Sequence, residues 1–519
     1  MKILYIPLDE RPCNYDYPQH IARLQSQLQL VVPPRPLLGQ KKQAADVSGL
    51  WRWLIDSLPD CDCAILSLEM LVYGGLLPSR LHQLSREKLH NRLQQFHNIA
   101  HLWPNIRLLA SNLIMRAPQY NSSEEEPDYY ETYGEQLFQW GWLQDRAQTV
   151  GLSTEGLTVS EKTQLESLSA SIPTQPLNDY RERRRKNLDV NLAAIDLVTD
   201  GVLDFLAIPQ DDCAEFGFTT SDRRQVYDRI ETRGLHEQIH VYPGADEVGC
   251  SLLARASTQR LERAIKIYPL YSSRQGSQVI PLYEDRPIAE STQLHIRAAG
   301  AEVAGSPSDA DIVLAVNVPD QYSQEAKDQP KQLNISQSPS EFIKHIQQLV
   351  TEGTPVAVAD VAFANGGDTA LIQQIDAACG WETVIAYGGW NTCGNSLGST
   401  IAAAVVGKES NVQEAIAFNT IYHLLEDWGY QTIVRWALME SWLADLGATY
   451  FDLDGHSEVV EAEIGRRLKA VWTSIVRHSF QDWSITSLDI RSPWQRMFEI
   501  GIALQIRRQA TSRDVSTPQ

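Results

Sequence analysis

The 519-residue chain has no apolar stretch approaching the roughly 18 residues of a membrane span, so no membrane partner is expected. It is short of positive charge: 45 Lys and Arg stand against 65 Asp and Glu, a net charge of -20. That balance excludes a general nucleic-acid binder, because neutralising phosphates needs clustered cations. Cysteines are few and odd in number, seven in all. Only Cys61 and Cys63 lie close together, and C-x-C lacks the paired C-x-x-C spacing of a structural zinc site. The twelve histidines form neither H-x-H nor H-E-x-x-H. No G-x-G-x-x-G and no P-loop lysine marks a nucleotide site. A short apolar opening followed at once by acidic residues is not expected to act as a secretory leader, and a reduced, cytoplasmic setting is expected.

What is present is a recurring alternation of short apolar runs and helical stretches. Strands are predicted at Lys2–Ile6, Leu28–Val32, Cys63–Leu68, Ile106–Ile114, Phe205–Ile208, His240–Tyr242, Ile312–Val316, Pro355–Ala359 and Thr383–Ala386, with weaker signals at Ile265–Tyr271 and Gln293–Arg297. Continuous, β-branched runs suit strands covered on both faces, with crossover helices between them. The fold class is therefore α/β with a parallel sheet, either a modified (β/α) barrel or doubly wound. Residues 1–260 and 261–408 are read as two parts of this core. An aromatic-rich helical insertion occupies about 117–185, a helical region 409–508, and a loose polar tail 509–519. No internal repeat is evident. The basic run Arg181 to Lys186 is expected to start a helix, with Arg184, Asn187 and Asn191 on one face.

The strand ends carry the chemistry. In parallel α/β sheets ligands bind beyond the carboxyl ends of the strands. Here those ends run into Asp9-Glu10-Arg11, Glu69, Arg116, Asp211-Asp212, Asp246-Glu247, Asp360 with Asn365 and Asp368, and Trp390-Asn391. One such end is ordinary, since acidic residues also cap helices; seven suggest one shared site. Asp211-Asp212 and Asp246-Glu247 are the catalytic candidates, because a desolvated like-charged pair keeps one member protonated near neutrality. Asp9, Glu10, Arg11, Glu69, Arg116, Asp360, Asn365, Asp368, Trp390, Asn391 and Asn395 are candidates for binding substrate. Asn391, Asn395 and Ser399 are spaced to share a helix stripe beside Gly394 and Gly398.

Phe205 to Ile208 running into Asp211-Asp212 resembles the strand and twin aspartates of O-GlcNAcase-like barrels. His240 to Val248, with Gly244, Asp246 and Glu247, resembles the His-x-Gly-Gly-Asp-Glu motif of β-hexosaminidases, with Gly-Ala in place of Gly-Gly and Tyr242-Pro243 intervening. In both families neighbouring carboxylates act as general acid and as orienter of the substrate's acetamido group. Ile6 to Pro12, Gln210-Asp211-Asp212, Pro243 to Glu247, and Gly389 to Thr392 with Gly394-Asn395 are together similar to a bacterial family catalogued as domain of unknown function 4127. That resemblance implies membership across most of the chain and no particular reaction.

The expected function is a glycoside-processing hydrolase acting on a small polar or carbohydrate substrate, with Tyr129, Tyr130 and Trp140 as candidate ring platforms. Core packing is the commoner use of such aromatics. Two alternatives stay open. One is a divalent-metal-dependent hydrolase of another bond, drawing oxygen ligands from Asp9, Asp211, Asp246 and Asp360. The other is a non-catalytic binder of a polar small molecule. No cofactor is required by any motif, and a Ser or Cys nucleophile has the weaker support.

Overall fold

Runs such as Lys-Ile-Leu-Tyr-Ile at the start of the chain become strands sealed from water on both sides. Ile3, Leu4 and Ile6 are fully buried, each contributing about 1.5–3 kcal/mol of transfer free energy. The computed structural model describes all residues except 151–155, 260, 262, 330–339, 409, 411 and 510–519. The polar tail expected at 509–519 thus lies outside the described residues from 510 onward. The chain divides into two units: Met1–Glu10, Gln29–Leu252 and Tyr283–Asp285 form the first, and Arg11–Leu28, Leu253–Leu282 and Arg286–Gln519 the second.

In the first unit six parallel strands, β1 (Lys2–Ile6), β2 (Gln29–Val31), β3 (Cys63–Ser67), β4 (Arg107–Ser111), β5 (Phe205–Gln210) and β6 (Ile239–Pro243), are ordered β2-β1-β3-β4-β5-β6. The order reverses between β1 and β3, so the crevice beyond their carboxyl ends is the topological switch point where doubly wound sheets take ligands. Ile114 extends the β4 edge by one parallel bridge to Gln210.

The second unit contains β7 (Lys266–Tyr271), β8 (Glu302–Val303), β9 (Ile312–Asn317), β10 (Gln324–Glu325), β11 (Val356–Asp360), β12 (Phe363–Ala364) and β13 (Ala386–Gly388). Five of them make a parallel sheet ordered β13-β11-β9-β7-β8, while β10 and β12 pair separately. Counted from its own first strand, this sheet follows the same 2-1-3-4-5 order as the first, a topological repeat that leaves no trace in the residues. Of the two arrangements the sequence allows, the strand orders are those of open, doubly wound sheets. Among the described residues no pairing closes either into a barrel.

After β13 the helix Cys393–Gly407 is buried along its whole length. The helix Gln413–His423 passes into a wide π-helical segment, Leu424–Val434, and then into Arg435–Ser441 and Ser457–Ile475. The C-terminal region is helical this far. It ends in an antiparallel hairpin, β14 (Trp483–Arg491) and β15 (Gly501–Arg508), where helix was expected. Ile502, Leu504 and Ile506 alternate with Ala503 and Gln505, a strand period that the helical reading overrode.

Three other expectations are corrected. Gln293–Arg297 lies inside the helix Ile288–Ala298, whose buried Ile288, Ser291, Thr292, His295 and Ile296 recur at helical spacing. The strand expected at Thr383–Ala386 begins only at Ala386, because Trp381–Thr383 forms a 3₁₀ turn after Gly380. The basic run does not start a helix: Arg181 to Lys186 falls within Thr174–Thr199, so no helix dipole opposes it. No helix among the described residues is long and apolar enough to cross a membrane.

Candidate functional site

At the switch point of the first sheet, β1 leads to Asp9 and Glu10, and β3 to Glu69. Asp9 is buried. Glu10 is pinned locally, its carbonyl accepting from Arg35 Nη1 at 2.7 Å and its Oε1 from Lys41 N at 2.9 Å. Glu69 Oε1 accepts from Asn112 Nδ2 at 2.7 Å and from Leu113 N at 2.8 Å. Asn112 Oδ1 in turn accepts from Asn191 Nδ2 at 2.6 Å. This chain ties the ends of β3 and β4 to the helix Thr174–Thr199. Burial outweighs these donors and pushes the Glu69 carboxyl up to about 7.

Next to Glu69 two buried guanidiniums are threaded among four carboxylates. Arg80 Nη2 lies 2.6 Å from Asp211 Oδ2, and its Nη1 lies 3.0 Å from Glu125 and 3.6 Å from Glu126. Arg116 reaches Glu125 at 2.9 Å through Nη2, Glu126 at 2.9 Å through Nε and Asp212 at 3.2 Å through Nη1. Arg184 holds this segment from behind, donating to the carbonyls of Arg116 (2.8 Å) and Met115 (2.7 Å) and pairing with Asp222 at 2.6 Å. Burial, then the charge of Asp211, push the Asp212 carboxyl up to about 6. Asp212 also has a left-handed backbone, φ 41°. A cavity of about 10 Å³, lined by Glu69, Arg80, Asn112, Arg116, Asn187 and Asp211 among others, has room for one water with polar partners on several sides.

Beyond β6, Gly244 adopts φ 146°, and a Cβ there would fall on Glu247 Oε1. The glycine therefore makes room for the carboxyl three residues later, and Glu247 Oε2 accepts from Ala245 N at 2.9 Å. Glu247 is buried, and among the described residues its Oε1 has no hydrogen-bond partner. Burial, aided by the charges of Asp246 and Glu284, pushes its carboxyl up to about 8. Asp246 is buried beside it.

The remaining candidates belong to the second unit. Arg11 is buried, its guanidinium 4.8 Å from the Trp494 ring. Asp360 accepts from Asn317 Nδ2 at 2.9 Å and from Asp368 N at 2.6 Å, and burial plus the charge of Asp368 push it up to about 7. Asp368 caps the helix Thr369–Ala378 through Ala370 N at 2.8 Å. Asn365 and Asn391 both take left-handed backbones, φ 59° and 62°, and Asn365 N donates to Asn391 O at 2.8 Å. Beneath these loops Asp427 Oδ2 accepts from Gly389 N at 2.9 Å, and His423 Nδ1 lies 3.0 Å from both Asp427 oxygens.

Several expected roles are not what the structure gives. Asn391 precedes the helix Cys393–Gly407, so it shares no helical stripe with Asn395 and Ser399; Asn395 is buried within the first turns. Trp390 is buried edge-on against Tyr17 and Phe498, and offers no open face. Tyr130 and Trp140 pack into an internal cluster with Leu137, Leu143 and Tyr180, and Tyr129 donates to Asp179 at 2.8 Å. Gly394-Asn395-Ser396-Leu397-Gly398 has the spacing of a nucleophile elbow. Ser396, however, is buried inside the helix with Oγ donating to Trp390 O at 2.9 Å.

Asp211, Asp212 and Arg116 are thus brought together, with Glu69 on the same small cavity; Asp360 meets Asp368, and Asn365 meets Asn391. Arg80, Glu125, Glu126, His423 and Asp427 had not stood out, since none of them follows a strand. Of the aspartates suggested for a metal, Asp211 is taken up by Arg80, and Asp360 belongs to the other unit from Asp9, Asp211 and Asp246. Among the described residues no group of three or more His, Cys, Asp and Glu side chains is arranged around a common point for an ion.

A family model described as "Protein of unknown function (DUF4127)" matches residues 3–503. No curated protein and no solved structure matches the chain.

Proposed function

The chain belongs to the DUF4127 family, whose description names no reaction, and on its own side chains we propose that it is a glycoside hydrolase working through carboxyl groups at the strand ends of the first unit. The observation that carries this reading is the Glu247 carboxyl, which holds its proton to about pH 8 beside Asp246. Hydrolysing a glycosidic bond requires a carboxylic acid still protonated at neutrality, and an ionised partner for water or the sugar. Burial gives Glu247 the first property, and its buried Oε1 accepts no hydrogen bond among the described residues. Asp211, paired with Arg80, and Asp212, which gives up its proton near pH 6, supply the carboxylate side. The one-water cavity bordered by Glu69 and Asp211 suits the attacking water rather than the sugar. A cytoplasmic setting belongs to the same proposal, in keeping with seven cysteines that are all free thiols.

The test is turnover of a chromogenic glycoside panel by the purified full chain, in EDTA and with Mg²⁺ or Mn²⁺. Hydrolysis in EDTA, with kcat falling roughly 10²–10⁴-fold in Glu247→Gln, supports the reading. Hydrolysis only with a metal, or a glycoside that raises Tm and stays intact, overturns it in favour of a metal-dependent hydrolase or a binder. So does the absence of any turnover.

A further inference from the structure

The second sheet reverses its strand order between β7 and β9, and the space beyond those two carboxyl ends is an open groove of about 560 Å³. That volume is in the range of small-molecule sites, and the location is the one where open α/β sheets take ligands. Ser272, just past β7, and Asn317, the last residue of β9, line it, and every described residue lining it belongs to the second unit.

Its chemistry is one-sided. Among the described residues the lining includes Asp320, Glu341 and Asp368 and contains no Lys, Arg or His. Asn317 is only 8% exposed. Its Nδ2 is committed to Asp360 at 2.9 Å and Asp368 at 3.2 Å, and its Oδ1 accepts no hydrogen bond among the described residues. Among the described residues every charged group in the lining is therefore a carboxylate, so an anion would meet only like charge, while Ser272, Gln321, Gln324 and Gln374 add neutral groups that can donate or accept. Tyr322, Phe342 and Phe363 add aromatic surface along the walls.

We propose that this groove is a binding site for a small organic cation, a primary amine on an apolar body, with the ammonium directed to Asn317 Oδ1 and Asp320 and the body against Tyr322 and Phe342. Carboxylates with no cation among the described lining residues favour the ammonium, and aromatic faces favour a cation beside them. The site is independent of the glycosidase reading, and neither stands or falls with the other.

The test uses three probes of one shape on the full chain: benzylamine, benzyl alcohol and benzoate, titrated by ligand-observed NMR at pH 7. Benzylamine is expected to bind at least about tenfold more tightly than benzyl alcohol, with benzoate weakest of the three. Asp320→Asn, on an exposed position, is expected to weaken benzylamine about fivefold or more while leaving the alcohol unchanged. Tyr322→Ala is expected to weaken both. Equal binding of the three probes, no binding by any, or benzylamine affinity untouched by Asp320→Asn overturns the proposal.

Discussion

Arg80 Nη2 stands 2.6 Å from Asp211 Oδ2, with the guanidinium 3% exposed and the carboxylate 17%. The arginine comes from the short helix Leu76–Leu81 and the aspartate from the loop after β5, so the pair fixes one element to the other.

Removing that arginine should be among the most damaging single changes in the first unit. Arg80→Gln takes from Asp211, Glu125 and Glu126 the guanidinium they share. Breaking a buried ion pair from one side costs about 3–5 kcal/mol. Arg80→Lys should recover little, because one ammonium cannot reach both Asp211 and Glu125 as the planar fork does. Urea unfolding midpoints check this. A loss under about 1 kcal/mol would mean that water already screens the cluster.

Glu69 and Glu247 set the sign of a pH effect. Both carboxyls titrate near 4.5 in an unfolded chain, and near 7 and 8 in the folded one. Between pH 4.5 and 8 the folded state binds more protons than the unfolded state, so these groups lower stability as pH rises. The effect approaches roughly 1.4 kcal/mol per pH unit for each group within its window. The double variant Glu69→Gln with Glu247→Gln stays neutral throughout. Its stability relative to the natural chain should therefore grow from pH 5 to pH 8. A difference that is flat or shrinks with pH contradicts the assignment.

The parallel strands were legible because a strand buried on both faces is an unbroken apolar run, and Ile3 to Ile6, Ile312 to Val316 and Val356 to Ala359 are short β-branched runs of that kind. The loops beyond them were legible for the same reason, as the first polar residues after such a run. What stayed hidden depends on pairing across long separations. Glu125 and Glu126 sit in an acidic run that reads as solvated, and become buried ion-pair partners only when Arg80 and Arg116 arrive from other elements. Glu426 and Asp427 lie in a stretch whose apolar period reads as an amphipathic helix. The wider π-helical turn buries them with their neighbours. A helix period predicts which face is covered, and fails where every face is.

Asn391 separates backbone need from side-chain role. Its φ of 62° is expensive for a residue with a Cβ, tolerable for Asn and free for Gly. Asn391→Gly should thus hold stability to within about 0.5 kcal/mol, while Asn391→Ala should lose about 1 kcal/mol. If the side chain binds substrate, the glycine variant raises KM without shifting Tm. Equal loss of stability in both variants would place its worth in the amide group.

Asp427 offers a test that reads two neighbouring amides in opposite ways. Its side chain, fully buried, accepts from Gly389 N at 2.9 Å and lies 3.0 Å from His423 Nδ1, while its backbone carbonyl accepts from Gly367 N at 2.9 Å. Asp427→Ala strands the Gly389 amide and the histidine without a partner, at a cost of about 2–4 kcal/mol. Asp427→Asn retains one acceptor and should lose less. Because the carbonyl survives either substitution, hydrogen exchange should accelerate at Gly389 and change little at Gly367 beyond the drop in global stability. If both amides accelerate together, the π-helical segment itself has been lost, and Asp427 is a determinant of that helix rather than a clasp on the loop after β13.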